Sequence, residues 1–274
     1  MNTVLIIAGY EFYLLIKNRW LLGFTVIFAL LSISLVFVLA GAYQDWLAGG
    51  FDRISATISN FVIVLSSLMG ILFSSLSFVG DRSDKFADLL ASYPIKTHQY
   101  VFGKYLGLLL AMALSLFVGF APVLISSVII SGKAYLQGIL ITLLSGILLS
   151  AMYAAWGALI GCLVQSRLNA LAAALIMWFF SVFIYELLLW AFLPHLPFFM
   201  QKTSIAVLLS INPAQVVRIG AVFVQGDGVV FGADFYSWQL FFRSITGGIV
   251  GSLLIIAHLL FPIVLSILLT RNKK

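Results

Sequence analysis

YLGLLLAMALSLFVGFAPVLISSVII, from Tyr105 to Ile130, contains no charged side chain. A helix needs about 20 apolar residues to cross a hydrocarbon core of about 30 Å, so this stretch is long enough to span a bilayer. The rest of the chain is of the same kind. Of its 274 residues 63% are hydrophobic and 9% are charged, against about 25% charged in an ordinary soluble domain. Folded in water, such a chain would expose apolar patches larger than soluble monomers carry. The composition therefore places it in a membrane, and the size rules for globular domains do not apply to it.

Working outward from that stretch, five more apolar runs reach spanning length: Leu21–Ala42, Ile58–Val79, Tyr135–Val164, Leu168–Leu193 and Ser244–Thr270. The expected fold is an all-α membrane protein with six transmembrane helices, at about 21–42, 58–79, 105–130, 135–164, 168–193 and 244–270, in one domain over residues 1–274. A shorter run, Val4–Ile16, rises only about 20 Å as a helix. It ends in Lys17-Asn18-Arg19-Trp20, whose basic and aromatic character suits an interfacial anchor. It is expected to lie along the inner surface as an N-terminal interfacial helix, with Glu11, Lys17, Arg19 and Trp20 as its anchor. The first sixteen residues contain no Lys or Arg, so no cleavable signal is expected.

Basic residues set the orientation. With both termini in the cytoplasm, the inner segments hold Lys17, Arg19, Arg82, Lys85, Lys96, Lys104, Arg167, Arg271, Lys273 and Lys274. The outer segments hold Arg53, Lys133, Lys202, Arg218 and Arg243. That bias follows the positive-inside rule. The net charge of +6 thus points to a lipid bilayer with anionic headgroups, not to nucleic acid. The long outer segment Pro194–Arg243 is broken by Asn212-Pro213 and Gly226-Asp227-Gly228. Short interfacial or re-entrant helices are expected in this large outer loop.

Chemistry-bearing residues are few. One cysteine, Cys162, excludes an internal disulfide and any cysteine-based metal site. His98, His195 and His258 fall in separate regions, so no metal site is expected, and His258 reads as a packed, hydrogen-bonded residue. No phosphate loop or catalytic triad is present, so the chain is not expected to be an enzyme or to hydrolyse nucleotide itself. Glu186 is the only carboxylate deep in an apolar run. A charge at mid-bilayer costs about 2.5–3.5 kcal/mol on insertion scales, so Glu186 either marks a substrate or proton pathway or lies near the outer surface. Gly157 with Gly161, and Gly247 with Gly251, have the spacing of close helix contacts, within one bundle or between two copies. Ser66, Ser67, Ser74, Ser75 and Ser77 either line a polar cavity or bond to their own helix.

The inner segment Gly80–Lys96 is the most informative. From Asp81 to Ser92 a short helical pattern sets Phe86, Leu89 and Leu90 against Asp81, Asp84, Lys85 and Asp88, and Pro94 stops it. A charged helix with an apolar face at the inner surface suits docking to a soluble partner.

This segment, with Tyr93-Pro94-Ile95 and Gly103-Lys104-Tyr105-Leu106-Gly107 after it, resembles the cytoplasmic region between the second and third spans of ABC-2 type transporter permeases. The start, Glu11 before Lys17-Asn18-Arg19-Trp20, and the outer Ile211-Asn212-Pro213 with Arg218 extend the likeness. Within the family the chain looks most similar to the permeases that serve maturation of nitrous oxide reductase. It departs from the family where an acidic run and Gly-Thr-Leu are usual. Asp81-Arg82-Ser83 and Lys85-Phe86-Ala87 stand there, so the partner-facing surface is less acidic.

The resemblance implies a homodimer in the inner cell membrane. Each permease would dock on a separate cytoplasmic NosF-like ATPase, which would carry the ATP and Mg; the permease itself would bind no cofactor directly. The coupling helix would comprise Asp81, Arg82, Asp84, Lys85, Phe86, Asp88, Leu89, Leu90 and Ser92, followed by Tyr93 and Pro94. An extracytoplasmic NosD-like protein would meet the outer loop at Asn212, Pro213 and Arg218. Rival readings are a general ABC-2 exporter of drugs, lipids or polysaccharides and an ion-coupled secondary transporter using Glu186.

Overall fold

The computed structural model describes residues 3–42, 51–84, 95–131, 136–225 and 233–271. These residues form helices and short connections, with no strand among them. The order is α1 (Thr3–Ile16), α2 (Arg19–Ala42), α3 (Phe51–Ser83), α4 (Thr97–Ser131), α5 (Leu136–Leu163) and α6 (Arg167–Phe179). A π-helical turn, Phe180–Ile184, joins α6 to α7 (Tyr185–Phe192), and a 3-10 turn follows at Leu193–His195. Then come α8 (Phe198–Ile211), α9 (Pro213–Gln225), α10 (Ala233–Arg243) and α11 (Ile245–Arg271).

Five stretches are long and apolar enough to cross a membrane: Ser59–Ser83, Thr97–Ser126, Gln137–Leu163, Arg167–His195 and Ile245–Arg271. Two bent pairs raise the number to as many as 7 if each is one span. These are α1 with α2, bent by 65°, and α8 with α9, bent by 115°. The expected six lies inside that range. The second span is longer than its apolar run, because α3 continues through Ser83. Asp81 and Arg82 therefore occupy the last turn of a long helix and do not begin a separate one. The polar residues that look like a new element in sequence are carried there by an unbroken backbone ladder.

The core is the seam between α3 and α5. An added Cβ at Gly70 would lie 2.4 Å from the Ser150 carbonyl oxygen, and one at Gly157 would lie 2.5 Å from that of Ile71. At Gly161 it would meet the Phe78 Cβ at 2.6 Å. Hydrocarbon tails are as apolar as leucine, so helices in a bilayer associate through this kind of close packing. Gly157 and Gly161 thus serve contacts within one chain. Of the five serines from Ser66 to Ser77, two bond to their own helix, Ser77 bonds to Glu11, and the buried Ser66 and Ser74 hydroxyls have no hydrogen-bond partner among the described residues. Ser67 donates to the Ile63 carbonyl at 2.6 Å and Ser75 to that of Leu72 at 3.0 Å, while Trp178 Nε1 donates to Ser67 Oγ at 3.0 Å.

Around this seam, α4 carries α1 and α2 on one side, while α6, α9 and α11 lean on α3 and α5 from the other. The stretch Arg167–His195 and α11 are the least enclosed of the spans, with 11% and 17% of their apolar windows buried in the chain. The rest is left for lipid or another protein.

Candidate functional site

Polar chemistry gathers at the two ends of the bundle. At the first end, α3 finishes, α4 starts and α1 lies across them. Gly103 and Gly107 let α1 approach α4 closely: an added Cβ at Gly107 would lie 2.4 Å from the Ala8 carbonyl oxygen, and one at Gly103 2.9 Å from that of Val4. Between these glycines Lys104 extends into the contact, its side chain only 2% exposed. Its ammonium lies 2.9 Å from Glu11 Oε2 and 2.8 Å from Asp81 Oδ2. Ser77 donates to Glu11 Oε1, and Tyr100 donates its hydroxyl proton to Asp81 Oδ2 at 2.5 Å. The Phe78 ring flanks the ammonium, its centroid 5.6 Å away.

One cation therefore ties α1, α3 and α4 together. Isolated buried charges are strongly unfavourable; pairing and further hydrogen bonds to the carboxylates offset that penalty. Asp81 also sits at a helix C-terminus, where the macrodipole disfavours a carboxylate, and Lys104 neutralises it. The next residues reach other helices. Arg82 donates to the Cys162 carbonyl at the end of α5, and Asp84 pairs with Arg167 at the start of α6, 2.6 Å apart. Asp81 and Arg82 thus hold the end of α3 to its neighbours, while the Asp84–Arg167 pair lies exposed at the surface. Lys85, Phe86, Asp88, Leu89, Leu90, Ser92, Tyr93 and Pro94 lie outside the described residues.

The anchor reading needs one correction. Lys17, Arg19 and Trp20 are exposed at the bend between α1 and α2, and Lys17 bonds to the Tyr13 hydroxyl. Glu11 is 6% exposed and belongs to the internal charge cluster, not to a lipid-facing anchor. Its partner is 93 residues away in sequence, beyond what local pattern reading links. Two signals pointed to the pair: Glu11 is the only acid before Asp45, and Lys104 stands between glycines.

At the opposite end, the π turn and the α8–α9 corner meet. Asn212 caps α9, its Oδ1 accepting from the Ala214 amide at 2.9 Å, with Pro213 at the first helical position. This is a favoured helix start. Asn212 Nδ2 donates to the Ser181 carbonyl in the π turn at 2.5 Å, and the Ser181 hydroxyl lies 2.7 Å from the Tyr153 hydroxyl on α5. Further along α9, Arg218 Nη1 donates to Glu186 Oε2 at 2.6 Å. His258 on α11 has Nε2 2.9 Å from the Ser210 carbonyl, so it is packed and hydrogen-bonded as expected.

The corner motif is thus internal. Asn212 is 3% exposed and Pro213 is buried, while Arg218 is committed to Glu186. The three residues expected to meet an outside partner are thus engaged within the chain, where the Asn-Pro pair closes a re-folded hairpin onto the bundle. Among the described residues no three His, Cys, Asp or Glu side chains come together in a way that could hold a metal.

Comparison with known proteins now decides the family. The ABC-2 family transporter protein family matches residues 5–271. The chain belongs to that family. It is 28% identical to a protein of Pseudomonas aeruginosa described as "Probable ABC transporter permease protein NosY", over 80% of this chain and 81% of that one. A protein of Stutzerimonas stutzeri with the same description is also 28% identical, over 85% of this chain and 86% of its own. The chain is accordingly an ABC-2 permease, the membrane subunit of an ABC transporter, and such permeases work with a cytoplasmic ATPase subunit.

Proposed function

We propose that this ABC-2 permease acts in the manner of NosY. Two copies sit in the inner cell membrane with their termini in the cytoplasm, each docked on a NosF-like ATPase that binds the ATP and Mg. Outside, a NosD-like protein receives the motion, and the assembly performs transport or mechanical work for the copper-site maturation of nitrous oxide reductase. The observation that carries this reading is the 28% identity to two NosY permeases over at least 80% of the lengths compared.

The geometry supports a route for the force. The segment between Asp84 and Ile95 joins α3 to α4, and Lys104 bonds to both Asp81 on α3 and Glu11 on α1. A push on that segment moves α1, α3 and α4 as one body. ATP drives the change only because the ATPase binds the two states of the permease with different affinity. In this reading α1 lies at the inner surface and the α8–α9 corner re-enters from outside.

Complementation tests it. A Pseudomonas aeruginosa strain lacking its own NosY, but keeping its own ATPase subunit, would receive this permease. Recovery of copper-loaded nitrous oxide reductase is the expected result. Correct membrane insertion and ATPase binding without any copper loading would reject the Nos assignment and leave a general ABC-2 exporter.

A further inference from the structure

A cavity of about 1260 Å³ lies between the α8–α9 hairpin and the α10–α11 pair. Its wall is mostly apolar, including Leu209, Val216, Phe223 and Ile255. On α11 it is bounded by residues of the first half only, Gly247 to Ile255, the end away from Arg271. Gly248 and Gly251 leave room there. A Cβ added at Gly248 would meet nothing within 4 Å, and one at Gly251 comes no nearer than 3.6 Å to Phe242. Trp238 also lines it, as does the exposed Arg243, which closes the last turn of α10.

The space is a groove open on one side, and water is a poor filler where polar partners are few. The flanking side chains of α11, Ile249 and Leu253, are 56% and 59% exposed. The cavity thus opens beside a face that bilayer hydrocarbon would cover. Tryptophan and arginine are residues of the membrane–water boundary, and a guanidinium matches a phosphate with paired hydrogen bonds.

We infer that this cavity is a binding site for a phospholipid of the leaflet at the Glu186 end, its acyl chain lying along Gly248 and Gly251 and its phosphate held by Arg243. The lipid fills the gap behind the re-folded hairpin, so it supports α8 and α9 where Asn212 and Arg218 hold them from the other side. This site is independent of how the permease is powered.

The test uses the full chain in nanodiscs of phosphatidylethanolamine and phosphatidylglycerol, with a phosphatidylglycerol bearing a photoreactive group on its acyl chain. Peptide mapping is expected to place the label on α9 to α11 around the cavity, and phospholipid is expected to survive detergent washing of the purified protein. Gly248→Phe puts a ring into the groove from a position where an added Cβ meets nothing within 4 Å, and is expected to abolish both signals. Arg243→Glu is expected to lose the washed-in phospholipid while an uncharged diacylglycerol probe still labels. Leu253→Ala, on the neighbouring face, leaves both signals unchanged, and a native-like elution profile confirms folding. Labelling that is indifferent to Gly248→Phe and Arg243→Glu overturns the site. So does a disulfide between two copies through Gly248→Cys, which would assign the cavity to a second copy of the chain.

Discussion

The two ends of the bundle both hold buried charge, but they hold it differently. At the Asp81 end one ammonium serves two carboxylates on two other helices, with the lysine side chain 2% exposed. At the Glu186 end one guanidinium meets one carboxylate, with side chains 20% and 36% exposed. Water can take over the second pair as it opens; in the first, Asp81 is 20% exposed, but the Lys104–Glu11 pair, 2% and 8% exposed, is enclosed where α1 lies on α4. A buried pair is therefore expensive to break, and a partly exposed one is not. The contrast says where this fold resists motion and where it yields. Next to the segment that the ATPase would push, the helices are locked into one body. At the far end, Asn212 holds the hairpin from a buried position, while the Arg218–Glu186 contact can exchange with solvent.

The strongest way to break this comparison is to remove the hub. Lys104→Met leaves Glu11 and Asp81 facing each other without a cation, and a loss of about 3–5 kcal/mol is expected. Thermal unfolding in detergent would read it as a large fall in Tm. A fall no larger than that of an exposed pair would show that the first end is not locked. Gly107→Leu comes next, since its Cβ would overlap the Ala8 carbonyl. Overpacking of this kind costs about 1–3 kcal/mol. Because it separates α1 from α4, hydrogen exchange along α1 should rise while α5 stays protected.

Smaller effects are expected at the Glu186 end and at the exposed rim of the Asp81 end. Asn212→Ala removes both the α9 cap and the donor to Ser181, for about 1–2 kcal/mol, and limited proteolysis near the corner should accelerate. Glu186→Gln is expected to change stability by about 1 kcal/mol or less. If the far end is the moving one, this change should alter ATP-coupled turnover more than it alters Tm. Arg167→Ala breaks the pair with Asp84, whose side chains are 59% and 62% exposed, and should fall within about 1 kcal/mol of the parent.

Much of the fold was legible because its cause is local. Apolar runs of spanning length and Asn212-Pro213 at a helix break each act within one stretch of chain. The extent of α3 was misread because Asp81 and Arg82 look like the start of something soluble. Helix propagation and the partners waiting on α4 and α5 carry the helix past them. Glu11 was misread for the same reason in reverse. A lone acid beside a basic, aromatic flank looks interfacial until Lys104 is brought to it.

The sequence by itself determined the solvent of this protein, its helical class and, through its motifs, its resemblance to a transporter family, because hydropathy and turn chemistry are properties of neighbours in the chain. Only the tertiary structure decided that Glu11, Lys104 and Asp81 form one cluster, that Arg218 answers Glu186, and that a cavity stands behind the hairpin. Each depends on helices separated in sequence coming within a few ångströms; at the first cluster Gly103 and Gly107 let the backbones of α1 and α4 touch.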